Sequence, residues 1–340
     1  MKNSCSIAIV IPSYNRTNEL SELLDSVLNQ ETFPDEVIVC EDHSPERLSI
    51  EKLVSSYRNR MNEKGINLIY EDNELNLGYD KNLRKSIELG KSTWALIMGN
   101  DDLLLPEAIS EIKKFLAQHN GVNFISRTFL RFNNDINSPL GVSRLSERDE
   151  VYNISNSQPN IIFRTAGFVG GLVVNVPFAK EKSSDIFDGS LYYQIYLAAV
   201  AYCEGGIGYI STPIVGGRAD NPPMFGNSSD DKESHIPGSY TAKGRAAMWR
   251  GVLSIAEHVG KKYDIDLSHS LQRELMIRQS FHVFEMNAGQ SVKTNLELRK
   301  ELGKLGLMQH YVPWSFLLLN CLLHKQARNV YKIIRKFMQR

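Results

Sequence analysis

Between residues 7 and about 125, short apolar runs alternate with segments of helical period, and this pattern limits the fold more than any other feature. Ile7–Ile11, Val37–Cys40, Asn67–Tyr70, Trp94–Met98 and Val122–Ile125 are the runs. The first, Ile7-Ala8-Ile9-Val10-Ile11, is apolar without interruption, as expected of a strand buried on both faces of a parallel sheet. Between them lie Leu20, Leu23, Leu24, Val27 and Leu28, then Leu53, Val54 and Tyr57, then a stretch from about Asp80 to Leu89, then Ala108, Ile109, Ile112, Phe115 and Leu116. Thr17 and Asn18 are the N-cap candidates of the first helix. Repeated strand–helix alternation specifies right-handed crossovers with helices on both faces of the sheet. The expected fold class is therefore α/β, with a mostly parallel, Rossmann-like sheet.

Three of these strands end in polar clusters: Pro12–Arg16, Glu41–Ser44 and Asn100–Asp102. In a parallel sheet all three fall at the same carboxyl edge, where ligands of open α/β sheets bind. The run Trp94-Ala95-Leu96-Ile97-Met98-Gly99-Asn100-Asp101-Asp102 is the most informative, because it delivers two adjacent carboxylates to that edge. Such a pair repels itself unless a cation sits nearby. Mg²⁺ and Mn²⁺ suit carboxylate oxygen and share their shells with substrate phosphates. The alternative is that one of the acids caps a helix beginning near Pro106.

Composition narrows the partners. Lys plus Arg and Asp plus Glu both number 39, so no global field attracts nucleic acid, and any attraction to a polyanion must be local. Cys5, Cys40, Cys203 and Cys321 are scattered and suit reduced thiols rather than a disulfide framework. The eight histidines form no metal-ligand spacing. Ile7–Ile11 is too short for a signal peptide, and Val312–Leu323 is too short to span a bilayer. The expectation is a cytoplasmic protein, at most touching the inner face of the membrane.

Ile9-Val10-Ile11-Pro12-Ser13-Tyr14-Asn15-Arg16, Glu36–Ser44, Asn76-Leu77-Gly78 and Met98–Asp102, in that order and spacing, resemble family 2 glycosyltransferases. The resemblance implies a GT-A fold, a nucleotide-diphosphate-sugar donor and inversion at the anomeric carbon. Carried over by position, it places Pro12, Ser13 and Tyr14 against the nucleoside, Asp42 on a base N–H, and Arg16 and Lys81 toward the diphosphate. Asn100-Asp101-Asp102 matches the family's D-x-D-type motif with Asn first, which implies Asp102 as ligand of a divalent metal (Mg²⁺ or Mn²⁺) and Asp101 on the ribose or the metal. The family's general base follows some tens of residues later, where Asp188 and then Asp185 are the candidates. An Asp before a helix can equally be its N-cap. The stretch from Asp188 through Gln194 to Arg218 also resembles bacterial O-antigen transferases of the abequosyltransferase kind, which makes Gln194 and Arg218 candidates for acceptor or diphosphate contacts.

The expected organisation is a catalytic domain over 1–215, a loop or lid over 216–239 within a Gly/Pro/Ser/Asp-rich stretch that begins at Pro213, and a helical region over 240–340. Near the C-terminus, Val312–Leu319 combine with Lys325, Arg328, Lys332, Arg335, Lys336 and Arg340. Aromatic and aliphatic residues beside a basic helix suit an interfacial membrane segment, in keeping with a glycan acceptor that is lipid-linked. The alternative is a helix that packs on the catalytic domain or on another subunit of a homo-oligomer. Functionally, the leading expectation is a metal-assisted inverting glycosyltransferase. A nucleotidyltransferase, or a nucleotide- or glycan-binding protein on a transferase fold, are the alternatives.

Overall fold

Along the first strand, alternate residues serve two different cores. Ile7, Ile9 and Ile11 pack with Leu20, Leu23, Ile50, Val54 and Ile112 on one face, whereas Ala8 and Val10 pack with Leu83, Ile87, Leu197 and Val200 on the other. The period-two alternation of a strand produces this division, so the strand must be covered on both sides. The computed structural model describes residues 5–338 apart from 220, 223, 229–234, 237, 239 and 240.

β1 (Ile7–Ser13), β2 (Glu36–Glu41), β3 (Asn67–Asp72) and β4 (Trp94–Ile97) lie in the order β3-β2-β1-β4, all parallel. They are connected by α1 (Thr17–Leu28), α2 (Arg47–Glu63) and α3 (Tyr79–Leu89). Then follow β5 (Leu103–Leu104), α4 (Ala108–Gln118), β6 (Phe124–Phe132), β7 (Gly141–Ser143), β8 (Glu150–Tyr152), α5 (Ile161–Ala166), β9 (Leu172–Asn175), α6 (Val176–Glu181), α7 (Tyr193–Glu204) and β10 (Ile207–Arg218). The sheet continues β4-β9-β6-β10-β5, with β7 on β6 and β8 on β10. β9 is antiparallel to both β4 and β6. β6 and β10 therefore run in the same direction as β1–β4, and the expected α/β class holds with one reversed strand at its centre.

Two local expectations change. The first helix is capped by neither Thr17 nor Asn18: Arg16 occupies the cap in left-handed backbone, and Glu46 accepts from the Thr17 amide at 2.9 Å and hydroxyl at 2.6 Å. A carboxylate from the start of α2 thus satisfies a donor that the first helix leaves open. The stretch after Pro213 is strand, not loop, as far as Arg218, with register breaks on either side of Pro213. A proline lacks the N–H a regular ladder needs, and a bulge accommodates it.

The C-terminal region comprises α8 (Ala242–Tyr263), α9 (Leu267–Glu274), a π-helical turn (Leu275–Gln279), α10 (Ser280–Met286), α11 (Val292–Lys304), α12 (Tyr311–Leu323) and α13 (Ala327–Met338). Trp249, Val252 and Ile255 of α8 share one buried cluster with Tyr193, Leu197 and Val200 of α7. This helical layer extends the core on one face of the sheet. Among the described residues, no helix is long and apolar enough to cross a membrane. The lid expected over 216–239 lies partly outside the described residues, as does Arg340.

Candidate active site

The three polar clusters meet, because β2, β1 and β4 are adjacent and parallel. After β1, Asn15 (φ 55°) and Arg16 (φ 67°) turn the chain through left-handed backbone. Asn100, after β4, fixes that turn by donating from Nδ2 to the Asn15 carbonyl at 2.9 Å. After β2, Asp42 is buried and accepts from Asn73 Nδ2 at 2.9 Å and the Leu77 amide at 2.8 Å through Oδ1, and from the Gly78 amide at 3.0 Å through Oδ2. Gly78 has φ 82°, and a Cβ there would lie 2.8 Å from the Ser228 hydroxyl, so both backbone and space call for glycine.

These loops enclose a cavity of about 430 Å³. Of the residues singled out in the sequence, Pro12, Ser13, Tyr14, Arg16, Asp42, Asn100, Asp101 and Gln194 line it. So do Asn82, Phe168, Tyr192 and Arg245, which belong to no motif in the sequence. Asn82 donates to the Cys40 carbonyl at 2.9 Å and accepts from Asn73 at 3.0 Å, which extends the Asp42 network into the first turns of α3.

The acid pair divides. Asp101 faces the cavity and pairs with Arg16 at 2.7 Å, and Asn221 Nδ2 donates to the same oxygen at 2.8 Å. Asp102 is buried and does not line the cavity. Its Oδ1 accepts from the Arg218 amide at 3.1 Å, and its Oδ2 lies so close to Gly170 that a Cβ there would be 2.1 Å away. Burial, and then the neighbouring Asp101 charge, hold the Asp102 carboxyl well above the usual carboxylate range; the Arg218 amide, Arg127 and Arg16 pull the other way. Arg218 itself is a clamp. It donates to the carbonyls of Asp101 and Asn133, both at 3.0 Å, pairs with Glu22 and lies 4.7 Å over the Phe132 ring.

Neither Asp188 nor Asp185 lines the cavity. Arg84 grips Asp188 with two parallel hydrogen bonds of 2.8 Å, and Asp185 is exposed. The buried carboxylate in this neighbourhood is Asp80, which sequence reading passed over. It accepts from the amides of Leu191 at 2.8 Å and Tyr193 at 2.9 Å and so holds the turn where Leu191 has φ 63°. Burial raises its carboxyl to about 7 against those two donors. A bulky residue in left-handed backbone persists only when its surroundings fix it. Lys81 does not line the main cavity; it borders a small recess that shares Gly78, Tyr79, Leu191 and Ser228 with it.

Among the described residues, no group of three or more His, Cys, Asp or Glu side chains could hold a metal. The donors present still fit a divalent ion of the Mg²⁺ type, which takes one or two carboxylates and completes its shell with substrate phosphates and water. Asp102, buried beside Asp101 and in no ion pair among the described residues, is the kind of carboxylate whose ionisation such a cation favours.

Fold and cavity together define an open α/β protein with a ligand cleft at the carboxyl ends of its central strands. Residues 8–173 match the model of Glycosyl transferase family 2, so the chain carries a domain of that family. The chain is 27% identical to the abequosyltransferase RfbV of Salmonella typhimurium over 63% of its own length and 67% of that protein's. Further curated glycosyltransferase relatives align over 19% to 40% of their own length. Among solved structures, Staphylococcus aureus TarS 1–349 in complex with UDP-GlcNAc superposes with a TM-score of 0.54 at 16% identity, covering 96% of this chain and 92% of that one. The mannosyltransferase PcManGT of Pyrobaculum calidifontis, in complex with GDP-Man and Mn²⁺, does so with 0.52 at 12%, covering 97% and 86%. At these identities the structural likeness shows the fold, and it is the GT-A fold.

Proposed function

We propose that this protein is an inverting glycosyltransferase that moves a sugar from a nucleoside-diphosphate donor to a hydroxyl of a glycan. The observation that carries the reading is the meeting of three strand ends in one cavity, lined by Tyr14, Arg16, Asp42 and Asp101 together. In this reading Pro12, Ser13 and Tyr14 hold the nucleoside and Asp42 fixes the loop around it. Arg16 exchanges Asp101 for the donor's phosphates, since a guanidinium binds either oxyanion as a fork. Asp101 and Asp102 are the carboxylates for Mg²⁺ or Mn²⁺, which when bound would neutralise charge developing on the departing diphosphate. The relatives solved with UDP-GlcNAc and with GDP-Man and Mn²⁺ are consistent with this donor class.

Proton removal from the acceptor needs a carboxylate within hydrogen-bond reach. Asp188 can serve only after Arg84 releases it, because both its oxygens are engaged. The geometry favours Asp188 as the residue that ties α3 to the entry of α7. Among the described residues the acids that line the cavity are Asp42 and Asp101.

The reading is tested by titrating the full chain with UDP, GDP, CDP and dTDP, with and without Mn²⁺, and by assaying turnover of the corresponding sugar donors. Metal-dependent binding of one nucleotide, lost in Asp101→Ala, is expected. A protein that binds none of the four would overturn it.

A peripheral membrane contact belongs to the same reading. Leu317, Ala327 and Tyr331 are buried, whereas Tyr311, Leu318, Leu322 and Ile333 are 56% to 74% exposed beside Lys325 and Lys332. Apolar residues flanked by lysines suit an anionic bilayer surface. Leu318→Ser with Leu322→Ser should abolish co-sedimentation with phosphatidylglycerol vesicles; retained co-sedimentation would remove this part of the proposal.

A further inference from the structure

A second cavity, of about 460 Å³, adjoins the first. Gly167, Phe168, Tyr192 and Arg245 line both, so the two share a wall. Arg127, Arg131, Arg144, Arg164, Arg245 and Arg278 line the second cavity, and no Asp or Glu among the described residues does. In a chain whose cations and anions balance at 39 each, this is a sharp local excess. Guanidinium groups around one space repel one another unless anions are interposed.

Among the described residues, the protein supplies only part of that compensation, and Arg245 is engaged, with Met286 Sδ at 3.1 Å among its partners. Glu274 pairs with Arg164 at 2.9 Å and lies 4.0 Å from Arg278, so one carboxylate serves two arginines. Arg144 pairs at 2.7 Å with Glu147, which is 84% exposed. The Arg131 guanidinium makes no hydrogen bond or ion pair among the described residues. Arg127 is 3% exposed, and its buried Nε has no hydrogen-bond partner. Burial lowers the proton affinity of Arg127 to about 9, with Asp102 and Tyr209 acting against it. Burial also lowers that of Arg131, with Arg335 adding to the effect. The same cations reach His282 on the cavity wall. Its proton affinity is lowered first by burial, then by Arg335, Arg131 and Arg245, with Glu285 opposing.

Part of the remaining wall is aromatic. Phe129, Phe163, Phe168 and Trp249 line it, and Arg127 lies 5.1 Å over the Phe129 ring and 5.0 Å over that of Phe168. Forked cations beside flat apolar faces match a sugar ring that carries an oxyanion: the guanidinium takes the anion in bidentate fashion and the rings take the apolar face of the sugar.

We infer that this cavity is the acceptor subsite, and that the acceptor is an anionic glycan whose oxyanion, a phosphate or a sugar carboxylate, sits among these arginines while its hydroxyl faces the donor cavity. The word acceptor rests on the glycosyltransferase reading above; the oxyanion site does not.

The test uses the full chain with the donor cavity filled by whichever nucleoside diphosphate binds. Glucose 1-phosphate, glucuronate and methyl glucoside are then compared by saturation-transfer NMR and calorimetry. Both charged sugars should bind at least tenfold more tightly than methyl glucoside. Arg131→Gln with Arg278→Gln should erase that preference and leave nucleotide affinity within about twofold. Arg131→Lys with Arg278→Lys should retain part of it, since charge survives and the fork does not. A preference for the phosphate identifies a phosphorylated acceptor, and a preference for glucuronate identifies an acidic sugar. Equal binding of methyl glucoside, an unchanged preference in the Gln variant, or one-for-one displacement of glucose 1-phosphate by the nucleotide would each overturn the inference. Should no nucleotide bind while arginine-dependent sugar-phosphate binding persists, the acceptor role falls and the oxyanion site stands alone.

Discussion

The two adjoining cavities are nearly equal in volume, about 430 and 460 Å³, and opposite in construction. The first is held by buried polar networks: Asp42 with the Asn73, Leu77 and Gly78 donors, Asn100 on the β1 loop, and Asp102 between Gly170 and the Arg218 amide. The second is ringed by arginines, of which Arg131 and the exposed Arg278 contribute little to internal bonding. Removing one partner of a buried network strands the others, whereas trimming a side chain that nothing inside depends on costs little. The first cavity should therefore be brittle and the second tolerant.

The strongest test of that contrast is Asp42→Ala. It removes the acceptor shared by Asn73 Nδ2 and the Leu77 and Gly78 amides, of which Gly78 keeps Asn76 Oδ1, and should cost about 3–5 kcal/mol in urea unfolding, with nucleotide binding lost. A loss below 1 kcal/mol would break the contrast. Next is Gly170→Ala, which presses a methyl against the Asp102 carboxylate. A cost of about 1–3 kcal/mol is expected from overpacking, visible as a lower urea midpoint at constant m.

A third prediction concerns pH. Asp80 titrates at about 7 in the fold, against about 3.9 in an unfolded chain. Between those values the native state holds a proton that the unfolded state has released, so stability falls as pH rises from about 4 to about 7. Asp102, also raised, acts with the same sign. Asp80→Asn cannot ionise and lacks Asp80's share of this slope. Its deficit relative to the wild type should be greatest at pH 5 and smallest at pH 8 in parallel thermal melts. A constant deficit would show that Asp80 is ionised throughout. The smallest effect belongs to the second cavity: Arg131→Gln with Arg278→Gln should change unfolding free energy by about 0.5 kcal/mol or less. A larger loss would mean that the arginines support the fold as well as the cavity.

Residue patterns close together in sequence made the first cavity readable. Tyr14, Asp42 and Asp101 each follow directly on an apolar run, and parallel pairing places the ends of successive runs along one edge. The part played by each acid was harder to read. Nothing in Asp101-Asp102 says which carboxylate faces the cavity, because that depends on Gly170 approaching from β9's loop and on the Arg218 amide arriving from β10. Asp188 is a similar case. Its spacing suits a base, yet the side chain that engages it, Arg84, lies on a helix whose facing residues are set by packing.

What the sequence alone determined is the α/β alternation, the family of the first half of the chain and the shared edge of three strand ends, all properties of local pattern and strand direction. Tertiary structure decided the reversal of β9, the division of labour within the acid pair and the existence of the second cavity. Arg127 and Arg131 come from β6, Arg164 from α5, Arg245 from α8 and Arg278 from the π-helical turn. No spacing along the chain connects them. They come together only because α7 packs on α5, α8 on α7, and α9, which leads into the π-helical turn, on α8, and the charge balance that hides the arginines in the composition is separated in space once the chain folds.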